Sequence, residues 1–114
     1  MAKIKALVVG SVHGDYKVGE MMDDLVCYQN IVGGNIEVVS HGLIDGLRGS
    51  YDGMNNVVMI VNEEGLLKGL PVNENFVPFF YVGNAIFVGV KDEEFYSLSD
   101  QQIANIIVYL NLGI

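Results

Sequence analysis

The most informative part of the sequence is VVMIVNEEGLLKGLPVN, which occupies residues 57–73. Its first five residues are apolar and predict a buried strand. The next four, Asn62 to Gly65, predict a turn in which Gly65 takes a positive φ angle. The chain then returns through Leu66 to Leu70 before Pro71 interrupts it. We therefore expect a strand, a turn and a returning segment here.

The patterns that flank this stretch predict further strands and one helix. Residues 3–9 alternate and then become continuously apolar, and residues 35–40 alternate, as strands do. Residues 79–90 predict one or two more strands. Apolar side chains recur at helical spacing from about 19 to 32, and Gly33-Gly34 supplies the left-handed conformation that ends a helix.

A second helix is predicted at the C-terminal end of the chain. Ser99 and Gln102 have the spacing of a capping box. The fold class that follows is α+β, with one mixed or antiparallel sheet of about four or five strands. We expect the helix at 19–32 and the C-terminal helix to cover one face of that sheet. Residues 1–114 should form a single domain.

The segment at 41–55 is rich in glycine and shows no sustained periodicity. Loops of this length are usually functional or disordered. We therefore predict a flexible flap, with Leu47, Arg48 and Tyr51 as the side chains that it would bring to a ligand.

The C-terminal helix carries no charged residue from 101 to 114, and its apolar side chains surround most of its circumference. One face can pack on the sheet, and the rest needs cover as well. Self-association, most simply as a two-fold dimer, would bury it, while a helix enclosed within one chain is the alternative. The predicted oligomer interface comprises Ile103, Ile107, Val108, Leu110 and Leu112.

The charge and the ends of the chain bound its environment and partners. Six basic residues against fourteen acidic ones give a net charge of −8, which disfavours direct binding of nucleic acid. Apolar runs are too short to span a bilayer. The N-terminus lacks the apolar core of a secretory signal. We therefore predict a cytoplasmic protein without membrane contact.

Several motifs together resemble a known family. They are Ile4 to Val9, the Val-Gly-Gly-x-Ile-Glu-Val run at 32–38, the block from Asn62 to Asn73, and the segments at 82–89 and 95–103. The chain resembles the family named domain of unknown function 3846, found in phages, plasmids and Firmicutes. It departs from the family pattern at Gly10 to Gly14, where relatives carry Glu-Pro-Gly, and its 41–55 segment is longer. The resemblance implies an accessory gene of a mobile element, with a role in counter-defence.

Catalytic and metal-binding patterns are weak in this sequence. His13 and His41 lack the spacing of zinc ligands. The run from Gly10 to Gly14 sits between a strand and a helix, where phosphates bind, but it lacks the glycine and lysine pattern of nucleotide-binding loops, which favours a plain connecting turn. Ser11 with His13 is too little for a hydrolase. We predict no catalytic residue, no metal and no cofactor.

The amides of the 62–75 block suggest a ligand-binding site. Amide groups, one lysine and nearby aromatic rings suit a base and a phosphate, although turn formation and capping explain the same residues. The predicted ligand-binding residues are Asn62, Lys68, Asn73, Asn75, Phe76 and Tyr81.

Three functions follow as hypotheses. The first is a non-enzymatic binding protein that sequesters a small host immune signal such as a cyclic nucleotide. The second is an acidic inhibitor that mimics nucleic acid and blocks a host DNA-binding defence protein. It predicts that carboxylates gather on one surface, namely those of Asp23, Asp24, Glu63, Glu64, Asp92, Glu93 and Glu94. The third is a small hydrolase. The sequence favours binding over catalysis.

Overall fold

A computed structural model describes residues 3–112 of the chain. It contains six strands and three helices within that range. In chain order these are β1 (Lys3–Val9), β2 (Tyr16–Met22), α1 (Leu25–Val32), β3 (Ile36–Val39), α2 (Leu43–Ser50), β4 (Val57–Asn62), β5 (Ala85–Lys91), β6 (Glu94–Tyr96) and α3 (Asp100–Asn111).

All six strands join one antiparallel sheet in the order β2-β1-β5-β4-β3. The short β6 pairs with the end of β5 beyond its contact with β1. Every residue of β4 is buried, as its apolar run predicts. The α+β class with a single antiparallel sheet is confirmed. The strands β2 and β3 form the two edges.

Helices cover both faces of the sheet, so the expectation that they share one face is wrong. One face packs on α1 through a core that includes Tyr28, Val32, Ile60 and Ile86. The other face packs on α2 and α3 through a larger core, which contains Leu47, Met59, Phe76, Phe87 and Ile106 among others. A strand buried on both sides reads as a continuous apolar run, which is why β4 and β5 show no alternation.

The predicted helix at 19–32 is shorter than expected. Residues Tyr16–Met22 form β2, which pairs with β1 along its whole length. The helix begins only after Asp24, whose carboxylate accepts a hydrogen bond from the Cys27 amide at 2.7 Å. Gly33 ends it at φ 86°, as predicted. Near the start of α1, the Tyr28 hydroxyl donates a hydrogen bond to the Asp23 carboxylate at 2.6 Å. Burial and this carboxylate together raise the pKa of Tyr28.

The segment predicted as a flap contains helix α2. Its residues Leu43, Ile44 and Leu47 are fully buried in the larger core. Arg48 donates to the carbonyl oxygens of Ser40 and Val57 at 3.2 and 2.9 Å. Tyr51 is half-buried and stacks edge-on with Tyr109 of α3. The four glycines of the 41–55 segment lower its helix propensity, so the sequence does not predict this helix. Its stability comes from packing rather than from intrinsic propensity.

The C-terminal helix begins with the predicted capping box. The Gln102 amide donates to the Ser99 hydroxyl, and the Gln102 side chain accepts from the Ser99 amide. Ile103 and Leu110 are buried within the chain, and Ile107 is half-buried. Of the predicted interface residues, Val108 and Leu112 remain exposed. Self-association through α3 stays a prediction, and these two side chains would have to carry it. No helix among residues 3–112 is long and apolar enough to cross a membrane.

Candidate functional site

The turn after β4 fixes the C-terminal end of α1 to the sheet. Asn62 is 5% exposed, and its side-chain amide donates to the Val32 carbonyl at 3.1 Å. Its oxygen accepts from the Glu64 amide at 2.7 Å, which closes the turn. Lys68 reaches the Gly33 carbonyl at 3.4 Å. Both side chains therefore satisfy carbonyl groups that the end of a helix leaves without partners.

Gly65 is needed for space, and the prediction of a positive φ angle there is wrong. Within this turn the positive φ angle belongs to Gly69, at 67°. A Cβ atom added at Gly65 would lie 2.5 Å from a methyl group of Val82. Gly65 thus allows the turn to pack against the segment that precedes β5.

Two buried asparagines hold the loop between β1 and β2. The Asn73 side chain donates to the Gly83 carbonyl at 2.8 Å and accepts from the Asn75 amide at 3.0 Å. The Asn75 side chain donates to the carbonyls of Gly10 and Val12 at 2.8 and 2.9 Å. Its oxygen accepts from the Gly14 amide at 2.8 Å. These two side chains are therefore structural, because their polar groups are satisfied inside the chain.

A groove of about 540 Å³ lies beside the edge strand β3. Val39 and Val61 belong to the sheet that forms its floor, on the same face as α2 and α3. Its walls come from the turn after β4 and from the segment before β5. The lining residues are Glu37, Val39, Asn62 with Val61, Glu63 to Leu67, and Phe80 to Val82.

The groove combines exposed apolar side chains with negative charge. Leu66, Leu67 and Phe80 are 68%, 87% and 62% exposed. Glu37, Glu63 and Glu64 are the charged residues of the lining, and no lysine or arginine belongs to it. Apolar side chains at this exposure are typical of interaction sites when they lie together. The charge indicates that a ligand here would be cationic rather than anionic.

Among residues 3–112, nothing pairs with the outer side of the β3 backbone at two of its residues. The Glu63 amide donates to the Asn35 carbonyl, which makes these two residues a hydrogen-bonded pair of the β3–β4 ladder. Such pairs recur at every second residue, so Glu37 and Val39 also bond to β4. Ile36 and Val38 therefore direct their N–H and C=O groups away from β4, toward the open edge.

The predicted gathering of carboxylates on one surface is wrong. Glu63 and Glu64 follow β4, whose end pairs with the start of β3. Asp92 to Glu94 follow β5, which runs opposite to β4. Asp23 and Asp24 follow β2, whose end pairs with Lys3 and so lies near the Lys91 end of β5. The seven acidic residues therefore divide between two ends of the sheet, about 20 Å apart along a seven-residue strand.

Among residues 3–112, the two histidines do not mark a reaction centre. His41 is exposed and lies 3.8 Å from the Asp45 carboxylate, one helical turn along the chain. The exposed His13 donates its backbone amide to Glu74. Within residues 3–112, no group of three or more histidine, cysteine or acidic residues is placed to hold a metal ion.

The comparison with protein families gives one match. The family model described as Domain of unknown function (DUF3846) matches residues 4–111. The chain belongs to this family. No curated protein and no solved structure matches it.

In this DUF3846 chain, the first half of the signature block, residues 62–67, supplies six of the twelve residues that line the groove. Asn62 and Tyr81 are the members of the predicted ligand set that line the groove. Asn73, Asn75 and Phe76 are buried elsewhere, and Lys68 contacts the end of α1. The flap residues Leu47, Arg48 and Tyr51 are not in the lining either.

Sequence reasoning missed the residues that give the DUF3846 groove its character. The sequence patterns place Glu37 on a strand face, Leu66 and Leu67 in the returning segment, and Phe80 in a further strand. The one signal available was the dipeptide Leu66-Leu67 directly after an acidic turn, because two adjacent leucines in a turn cannot both face a core.

Proposed function

We propose that the protein is a non-catalytic binding protein whose groove holds a basic and apolar segment of a partner protein. The observation that carries this proposal is the lining itself, in which Leu66, Leu67 and Phe80 stand exposed beside three carboxylates. Full burial of a leucine or phenylalanine side chain contributes about 1.5–3 kcal/mol. A partner that covers these side chains would gain binding free energy from them.

The carboxylates supply selectivity for the sign of the partner's charge. Glu37, Glu63 and Glu64 are exposed in the free protein, so their charges are hydrated. They would attract lysine and arginine side chains and speed association, while an acidic segment would be repelled. This effect should weaken as salt concentration rises.

The same charge favours a protein partner over an anionic small molecule in this groove. A cyclic nucleotide carries phosphate, and the lining offers it three carboxylates and no cationic side chain. The sequestration of such a signal stays a prediction without support from the groove. The acidic inhibitor hypothesis loses its single carboxylate surface, but a DNA-binding partner would still display the basic residues that the groove would attract. The mobile-element origin, the counter-defence role and the cytoplasmic location remain predictions from the sequence.

Selection from a ribosome-displayed library of random peptides on the immobilised protein tests this proposal. We expect enriched peptides that combine lysine or arginine with apolar residues. A triple variant, Glu37→Gln, Glu63→Gln and Glu64→Gln, should bind the best of them about tenfold more weakly or worse, since it removes the charge pairs. Fluorescence anisotropy of the labelled peptide at low salt measures the change.

The opposite end of the sheet offers a matched control. The variant Asp92→Asn, Glu93→Gln, Glu94→Gln changes the net charge by the same amount, but these residues lie outside the groove. We expect it to keep nearly the affinity of the wild type. Equal weakening by both triple variants would show that overall charge rather than the groove attracts the peptide. Enrichment of acidic peptides would also contradict the proposal.

A further inference from the structure

The groove and the free edge of β3 adjoin each other. Glu37 and Val39 line the groove, and the residues that alternate with them, Ile36 and Val38, have outward-facing backbone groups. Past this stretch the Ser40 carbonyl is occupied by Arg48. The open part of the edge therefore offers two N–H and two C=O groups. The groove lies beside this edge and does not reach β2.

We infer that the partner segment binds as an added strand, which pairs with Ile36 and Val38 and directs every second side chain into the groove. This inference rests on the proposed function, because it specifies how the same groove takes its partner. An extended segment on a sheet edge gains affinity from backbone hydrogen bonds and specificity from alternate side chains. On the groove side of the sheet, the side chains of the partner segment would contact the Glu37 carboxylate and the exposed Leu66, Leu67 and Phe80.

Charge complementarity selects a basic segment over a second copy of this chain. Two copies of β3 would pair about a two-fold axis. The register that joins Ile36 of one copy to Val38 of the other places the two Glu37 residues directly opposite each other. Like charges in that position are destabilising. Each groove would also keep its own carboxylates without a cationic partner. A segment with lysine or arginine at alternate positions avoids both costs.

The substitution Val38→Pro tests the pairing. Proline has no backbone N–H, and at an edge position it leaves the ladder inside the fold intact. The backbone N–H and C=O groups of Val38 face the open edge rather than β4. Val38→Pro should therefore keep its structure, which circular dichroism checks. Val38→Ala is the matched control, because it shortens the same half-exposed side chain and keeps the N–H group. The probe is the best basic peptide from the selection.

We expect Val38→Pro to bind this peptide at least about tenfold more weakly than Val38→Ala. Equal binding by the two variants would overturn the added strand and leave the proposed function intact. The same conclusion would follow if the Glu→Gln triple variant lost binding while Val38→Pro kept it. A peptide-independent dimer that Val38→Pro converts to monomer would overturn the basic segment in favour of a second copy.

A second measurement covers the case in which Val38→Pro fails to fold. Peptides methylated at single backbone nitrogens are compared on the wild-type protein. Methylation should abolish binding at alternate positions of the peptide and leave it unchanged at the positions between, because only alternate N–H groups face β3. Uniform tolerance of methylation would overturn the inference. Failure of every peptide to bind would overturn both the inference and the proposed function.

Discussion

Replacing Asn75 with Ala is expected to lower the free energy of unfolding by about 3 kcal/mol. The Asn75 side chain makes three hydrogen bonds to the backbone of residues 10–14, at 2.8 to 2.9 Å. The substitution leaves the Gly10 and Val12 carbonyls and the Gly14 amide without these partners. Gly10 is buried, and a buried polar group without a partner costs about 1–3 kcal/mol; the Val12 carbonyl keeps the hydrogen bond from the Asp15 amide. Urea unfolding should show a lower midpoint at an unchanged slope.

Asn55→Ala is the control for this prediction. The Asn55 side chain is exposed and makes no hydrogen bond to the residues described, 3–112. We expect a change within about 0.5 kcal/mol. If Asn75→Ala proved as mild as Asn55→Ala, the structural role of the asparagine would be contradicted, and the ligand-binding role that the sequence suggested would regain support.

Replacing Phe76 with Ala should lower the free energy of unfolding by about 3–5 kcal/mol. Phe76 is fully buried, and its ring lies edge-on to those of Tyr81 and Phe87, with centroids 5.8 and 6.0 Å apart. The substitution removes these contacts and leaves a cavity at the centre of the larger core. Thermal and urea unfolding both measure the loss.

Phe80→Ala provides a contrast with the same residue type four positions away. Phe80 is 62% exposed and lines the groove. We expect its loss to change stability by less than about 1 kcal/mol and to weaken peptide binding. We therefore make the prediction that the two substitutions have opposite effects on stability and on peptide binding. A stable Phe76→Ala variant that had lost peptide binding would contradict it.

The sequence was sufficient for the elements that follow a single strong pattern. The apolar run of β4, the glycine that ends α1 and the capping box of α3 each depend on local chemistry, and each is confirmed. The strand β2 was missed because it is an exposed edge strand with no apolar alternation. The helix α2 was missed because its glycines hide a short face of Leu43, Ile44 and Leu47. The strand β2 is held by backbone pairing with its neighbour β1, and α2 is held by burial of its apolar face in the core, and neither leaves a periodic signal in the sequence.

The site was harder to predict for a related reason. An asparagine in a turn has the same sequence signature whether it bonds to its own chain or to a ligand, and Asn73 and Asn75 bond to their own chain. The groove gathers Glu37, the 63–67 turn and Phe80 from three parts of the chain. The pairing of β4 with β5 brings the segment that contains Phe80 to the turn, and Glu37 arrives through the pairing of β3 with β4. No spacing in the sequence records these pairings.

Hydrogen exchange at the individual amides of β3 tests whether a partner segment adds to this edge as a strand. In the free protein, we predict fast exchange at Ile36 and Val38 and slow exchange at Glu37 and Val39, because the first two face the open edge. Addition of the selected basic peptide should slow exchange at Ile36 and Val38 and leave the other two unchanged. Slow exchange at Ile36 and Val38 without peptide would show that this edge is not open, and no change when peptide is bound would show that the peptide does not pair with β3.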